Sequence, residues 1–103
     1  MTLRETQSKF AGMVARLILH AEILGYEVTF GDTYRSPEVT HGHDKSLHCK
    51  RLAVDLNLFK NGRYLRSTKS HEPLGEYWES IGGSWGGRFE DGNHYSIAWR
   101  GMK

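Results

Sequence analysis

A chain of 103 residues, 38% of them hydrophobic, has the size of one domain and enough apolar side chains for one core without disulfide staples. Its lone cysteine, Cys49, excludes an internal disulfide framework and fits a reducing compartment. A net charge of +2 with bases scattered among acids offers no concentrated patch for nucleic acid, and no apolar run is long enough to span a bilayer.

Met1 to Thr6 lacks the apolar stretch and cleavage site of a secretory leader, so synthesis in the cytoplasm is the expectation, with a monomer as the default. Thr2 followed by Glu5 spells a capping box, and Leu3, Phe10, Met13, Val14, Leu17, Ile18, Ala21 and Leu24 recur at helical spacing until Gly25 stops the helix. This helix reads as scaffold, its apolar stripe turned to the core and His20 at its surface or end. Tyr26 to Phe30 alternates as a half-buried strand does and runs into a turn from Gly31 to Pro37. Pro37 to Lys45 is polar and aperiodic, a loop or one helical turn in which His41 and His43 read as surface residues.

Leu52 to Phe59 alternates again, with Leu52, Val54, Leu56 and Leu58 on one face and Ala53, Asp55 and Asn57 on the other. Asn61-Gly62 is a two-residue hairpin signal leading into Arg63-Tyr64-Leu65. His71 reads as exposed. Pro73 to Ile81 reads as a short second helix with a packing stripe of Leu74, Tyr77, Trp78 and Ile81, stopped by Gly82-Gly83. Ser84 to Asn93 is glycine-rich and aromatic, and His94 opens a last alternating segment through Trp99. No repeat or linker interrupts the pattern, so the expected architecture is a single α+β domain over residues 1–103, a small antiparallel sheet with flanking helices.

Asp55 stands on a strand between Val54 and Leu56, so it is expected to be partly buried, and a buried carboxylate must be paired, protonated or bound to metal. A salt bridge to an arginine is the simplest partner. His48, seven residues earlier, can fold back toward the strand face, and His94 supplies a third donor from elsewhere in the chain. Two imidazoles and a carboxylate are the donor set of a catalytic zinc ion with an open fourth position. Asp91, three residues before His94, stands where a carboxylate could take the proton of an attacking water, although Asp91-Gly92-Asn93 also reads simply as a turn. Glu90 is adjacent and should point elsewhere. Cys49 is chemically competent for zinc, yet as a neighbour of His48 it should diverge from it and is read as a small buried residue. Trp85 and Tyr95 either flank the cleft or belong to the core.

Together these residues resemble the zinc peptidases that include D-alanyl-D-alanine carboxypeptidases and the L-alanyl-D-glutamate endopeptidases used as phage endolysins. A first signature of the form S-x-H-x-x-G-x-A-x-D is matched by Ser46, His48, Ala53 and Asp55, with Arg51 in place of the glycine. An acidic residue ahead of a final histidine is matched by Asp91 and His94, and a Tyr-Arg-Ser turn by Tyr34, Arg35 and Ser36. The stretch from Trp85 to Tyr95 looks most like the endolysin branch, and the resemblance covers about Phe30 to Ile97.

The resemblance implies a hedgehog/D-Ala-D-Ala-peptidase-like fold, zinc on His48, Asp55 and His94, and Asp91 as the acid/base. It also implies a substrate contact from Arg35, and Ser46 either contacts substrate, orients a ligand or serves only as a local cap. A guanidinium suits the carboxylates of peptidoglycan stem peptides, because it binds them through paired hydrogen bonds and keeps its charge; a structural salt bridge to Asp32 is the alternative for Arg35. The implied activity is hydrolysis of the stem-peptide bond between L-alanine and D-glutamate, on a cell wall reached through lysis or a membrane pore. Removal of a terminal D-alanine, or zinc-stabilised wall binding without turnover, are the rival readings. Arg51 marks the departure from the pattern, since glycine commonly signals positive φ or close packing.

Overall fold

The computed structural model describes residues 1–36 and 46–102; the polar stretch with His41 and His43 lies outside them. Helix α1 (Leu3–Ile23) opens on the expected capping box, in which the Thr2 hydroxyl accepts the Glu5 N–H at 3.1 Å and the Glu5 carboxylate accepts the Thr2 N–H at 2.8 Å. It buries Thr6, Phe10, Met13, Leu17 and Ala21, a stripe three or four residues apart, and leaves Leu19 and Ile23 in solvent. Gly25, at φ +90°, turns the chain out of the helix. His20 is half-buried and stacks on Tyr77 at 4.0 Å between ring centres.

Five strands follow, β1 (Glu27–Phe30), β2 (Ala53–Lys60), β3 (Arg63–Leu65), β4 (Ser84–Trp85) and β5 (His94–Ser96), all paired antiparallel in the order β1-β2-β5-β4, with β3 also on β2. The β2–β3 hairpin closes through Asn61 and Gly62, both at positive φ as this tight turn demands. Strand β1 is less buried than its alternation suggests, because it is the outermost strand: only Val28 is half-covered and Phe30 stands in solvent. Helix α2 (Glu72–Ser80) carries Pro73 in its first turn and buries Leu74 and Trp78, with Tyr77 and Ile81 partly covered. No helix among the described residues is long and apolar enough to cross a membrane.

The core gathers the α1 stripe, Leu52, Ala53, Val54, Leu56 and Leu58 of the β2 region, Leu74, Trp78, Trp85, Tyr95 and Ile97. The Trp78 indole N–H is shared between the carbonyls of Ser96 (2.8 Å) and Ser84 (3.1 Å), which ties α2 to β4 and β5. Tyr95 belongs to the interior, and Trp85, although buried, also borders a cavity beside His94. His71 departs from expectation: it is only 1% exposed, its Nδ1 lying 2.8 Å from the Tyr95 hydroxyl. The 3-10 turn Lys69–His71 folds it onto β5, and burial lowers its pKa so that the neutral ring is favoured. Cys49 is half-buried, more open than its reading as a small buried residue.

Candidate metal centre

Strand β2 carries Asp55 between two neighbours that fix its place. On one side its cross-strand partner is His94, so the two side chains stand beside each other on one face of the sheet. On the other side the chain leaving β1 continues the ladder: Gly31 N–H donates to the Asp55 carbonyl (2.7 Å) and Asp55 N–H to the Asp32 carbonyl (2.8 Å). His48 arrives from the 3-10 turn Leu47–Lys50, which directly precedes β2. Ser46 caps that turn, its hydroxyl accepting the His48 N–H at 3.2 Å. Arg51 closes it in the left-handed conformation (φ +57°, ψ +37°), the backbone state that the glycine of the related signature would adopt without strain.

These constraints bring His48, Asp55 and His94 together, with one ligand atom from each lying within 4.8 Å of the others. Asp55 Oδ1 is 3.3 Å from His48 Nε2 and 3.4 Å from His94 Nδ1. Atoms about 2.0–2.2 Å from a tetrahedral zinc ion lie about 3.3–3.6 Å from one another, so both distances match edges of a zinc tetrahedron. Two imidazole nitrogens and a carboxylate oxygen are also chemically the right donors, so the residues fit zinc in donor type and in both spacings to Asp55. His48 is 2% exposed and its Nδ1 has no hydrogen-bond partner among the described residues, while the Asp55 and His94 side chains remain partly open to solvent. Burial by itself would raise the Asp55 pKa, but hydrogen bonds and charges from His48 and His94 outweigh it and hold the carboxyl well below the usual range. Asp55 is therefore ionised, as a ligand must be.

Arg35 reaches this trio through its guanidinium, and Asp91 adjoins it through a backbone hydrogen bond. Arg35 Nη2 binds Asp32 Oδ2 at 2.9 Å, the alternative considered for it, and also comes within 3.7 Å of Asp55 Oδ2. Its guanidinium thus stands at the edge of the metal centre. Asp91 is exposed, and its backbone is fixed at both ends: its N–H donates to the Gly86 carbonyl (2.9 Å) and its carbonyl accepts the His94 N–H (3.1 Å). Asp91-Gly92-Asn93 is therefore a turn that also leads directly into a candidate metal donor, His94. Cys49 is not in the cluster.

Two structural contributors were not singled out in the sequence. Gly86 begins the 3-10 turn Gly86–Phe89, and a Cβ there would lie 2.3 Å from the Asp91 carbonyl oxygen and 2.8 Å from His94 Cβ. The Gly92 carbonyl accepts the Trp85 indole N–H at 2.7 Å, anchoring the same loop to the core. The glycine-rich composition between Gly82 and Gly92 was the available signal. A cavity of about 240 Å³ opens beside His94, walled by Trp85, Gly86, Arg88, Phe89 and Ser96.

A family model described as D-alanyl-D-alanine carboxypeptidase matches residues 40–97, more than half of the chain and the stretch that holds all three donors and Asp91. The chain belongs to this family of zinc peptidases. Compared with curated proteins, it has no significant match.

Proposed function

We propose that this protein is a zinc-dependent peptidase that hydrolyses peptidoglycan stem peptides at the bond between L-alanine and D-glutamate. The observation that carries the reading is the spacing of Asp55 Oδ1 from His48 Nε2 and His94 Nδ1, a three-donor set that would hold zinc and leave it free to act on water or substrate. Zinc, when bound, supplies a Lewis acid that polarises the scissile carbonyl and makes water acidic enough to attack near neutral pH. Asp91 takes a proton from the attacking water and delivers it to the departing amine. The water oxygen ends in the new carboxylate as the C–N bond breaks. Arg35, anchored by Asp32, holds a permanent positive charge beside the site and binds a stem-peptide carboxylate. The Ser46 hydroxyl holds the His48 turn and contacts substrate through its own O–H.

The family description favours one alternative, removal of a terminal D-alanine by the same machinery. Mass spectrometry of products released from purified peptidoglycan separates the two. New L-alanine C-termini and D-glutamate N-termini, absent when a chelator is added, are the expected result. Free D-alanine would assign the carboxypeptidase reaction instead, and the absence of any product from folded, zinc-loaded protein would overturn both.

A further inference from the structure

Arg51 occupies a backbone state that glycine adopts freely and that other L-residues rarely visit, because Cβ crowds the neighbouring carbonyl. Its side chain explains what the position gains. The guanidinium carbon lies 4.1 Å from the centre of the Tyr34 ring, well inside cation–π range. Tyr34 immediately precedes Arg35, and the backbone repeats the same connection: the His48 carbonyl accepts both the Arg51 N–H (3.2 Å) and the Arg35 N–H (3.3 Å). Ring stacking and a shared acceptor thus join the segment that carries Arg35 to the turn that carries His48. At 3.3 Å the Arg35 bond is longer than the ladder bonds at Gly31 (2.7 Å) and Asp55 (2.8 Å), so this end of the segment has most to gain from a second attachment.

We infer that Arg51 is a positioning residue whose guanidinium, stacked on Tyr34, clamps the Arg35 segment to the His48 turn and sets the Arg35 charge against Asp55. Its effect on substrate rests on the peptidase reading given above; the clamp itself does not. Arg51 acts through Arg35 and touches no reacting atom.

Backbone amide exchange, followed by NMR on the whole chain with and without zinc, tests the clamp without using activity. Arg51→Gly is the informative variant, because glycine keeps the left-handed turn and removes only the stack. Exchange at the Arg35 amide is expected to rise about two- to five-fold in Arg51→Gly and in Tyr34→Ala, the range a surface cation–π contact supports. The double variant should exchange no faster than either single one, and Tyr34→Phe, which keeps a ring, should behave as wild type. Unchanged exchange at Arg35 in Arg51→Gly, or strictly additive effects in the double variant, would overturn the inference. In the hydrolysis assay Arg51→Gly should raise KM and leave kcat unchanged, the signature of weakened substrate holding. If the wild type hydrolyses nothing, the peptidase reading fails while the exchange data still decide the clamp.

Discussion

Replacing Gly86 with alanine should damage the metal centre from a distance of one loop. The added Cβ would stand 2.3 Å from the Asp91 carbonyl oxygen and 2.8 Å from His94 Cβ, where real Cβ atoms essentially never approach within 3.0 Å, so the loop must open by at least 0.7 Å. Neither obstacle can swing aside by a rotamer change, since one is backbone and the other is attached to it. The Asp91 carbonyl in turn accepts the His94 N–H at 3.1 Å, so the displacement passes directly to a candidate metal donor. Overpacking of this kind costs about 1–3 kcal/mol. For a domain of this size that lowers the melting temperature by about 4–8 °C per kcal/mol. Metal sites tolerate errors of about 0.2 Å in donor distance, so zinc affinity should fall by at least about tenfold. Urea unfolding of the metal-free protein gives the first quantity and titration against a competing chelator the second. A Gly86→Ala protein with wild-type stability and wild-type zinc affinity would refute this reasoning.

Asp91→Asn should keep zinc while hydrolysis falls by about 10²–10⁴-fold, the usual contribution of a general base; loss of zinc from that variant would count against the role of Asp91. His48→Ala should lose both metal and activity, and full activity in it would dispose of the site. Because burial lowers the His71 pKa below its ordinary 6.5, the folded state binds fewer protons there than the unfolded chain. Stability from this group is complete above pH 6.5 and is lost as the pH falls from there through the lowered folded value, with a slope of at most about 1.4 kcal/mol per pH unit. His71→Phe should flatten that part of the stability–pH curve, measured by urea unfolding, and an unchanged slope would show that His71 is not its source. Gly12→Ala, in the middle of α1 with nothing among the described residues within 4 Å of the new Cβ, should stabilise by about 0.5–1 kcal/mol without changing zinc affinity.

Helix α1, strand β2 and the Asn61-Gly62 hairpin were legible because each carries a local signature: a reciprocal cap, an apolar period, a turn that needs two positive φ angles. Strand β4 was not, since its two residues are strand only through their pairing with Ser96 and Tyr95, a tertiary contact that leaves no periodicity. His71 misled for a similar reason. It lies in a polar stretch, and its partners when buried, the Tyr95 hydroxyl and the Leu65 backbone, are brought to it by the fold. At the site, the donor types and their order in the chain were readable from His48, Asp55 and His94. The register that sets Asp55 opposite His94 was not, because it depends on β5 joining β2 across 38 residues of intervening chain from Leu56 to Asn93. Arg51 was visible as a departure from the related signature, but its backbone keeps the glycine-like state and its side chain has a partner in Tyr34.

The metal centre is tested most directly by counting zinc. Titration of the purified, metal-free chain against a competing chelator near neutral pH should give a single tight zinc per wild-type molecule. His48→Ala, Asp55→Ala and His94→Ala should each abolish it, whereas Cys49→Ser and Asp91→Asn should retain it. Wild-type zinc binding in any of the three donor variants, or its loss in Cys49→Ser, would contradict the assignment of His48, Asp55 and His94 as the ligands.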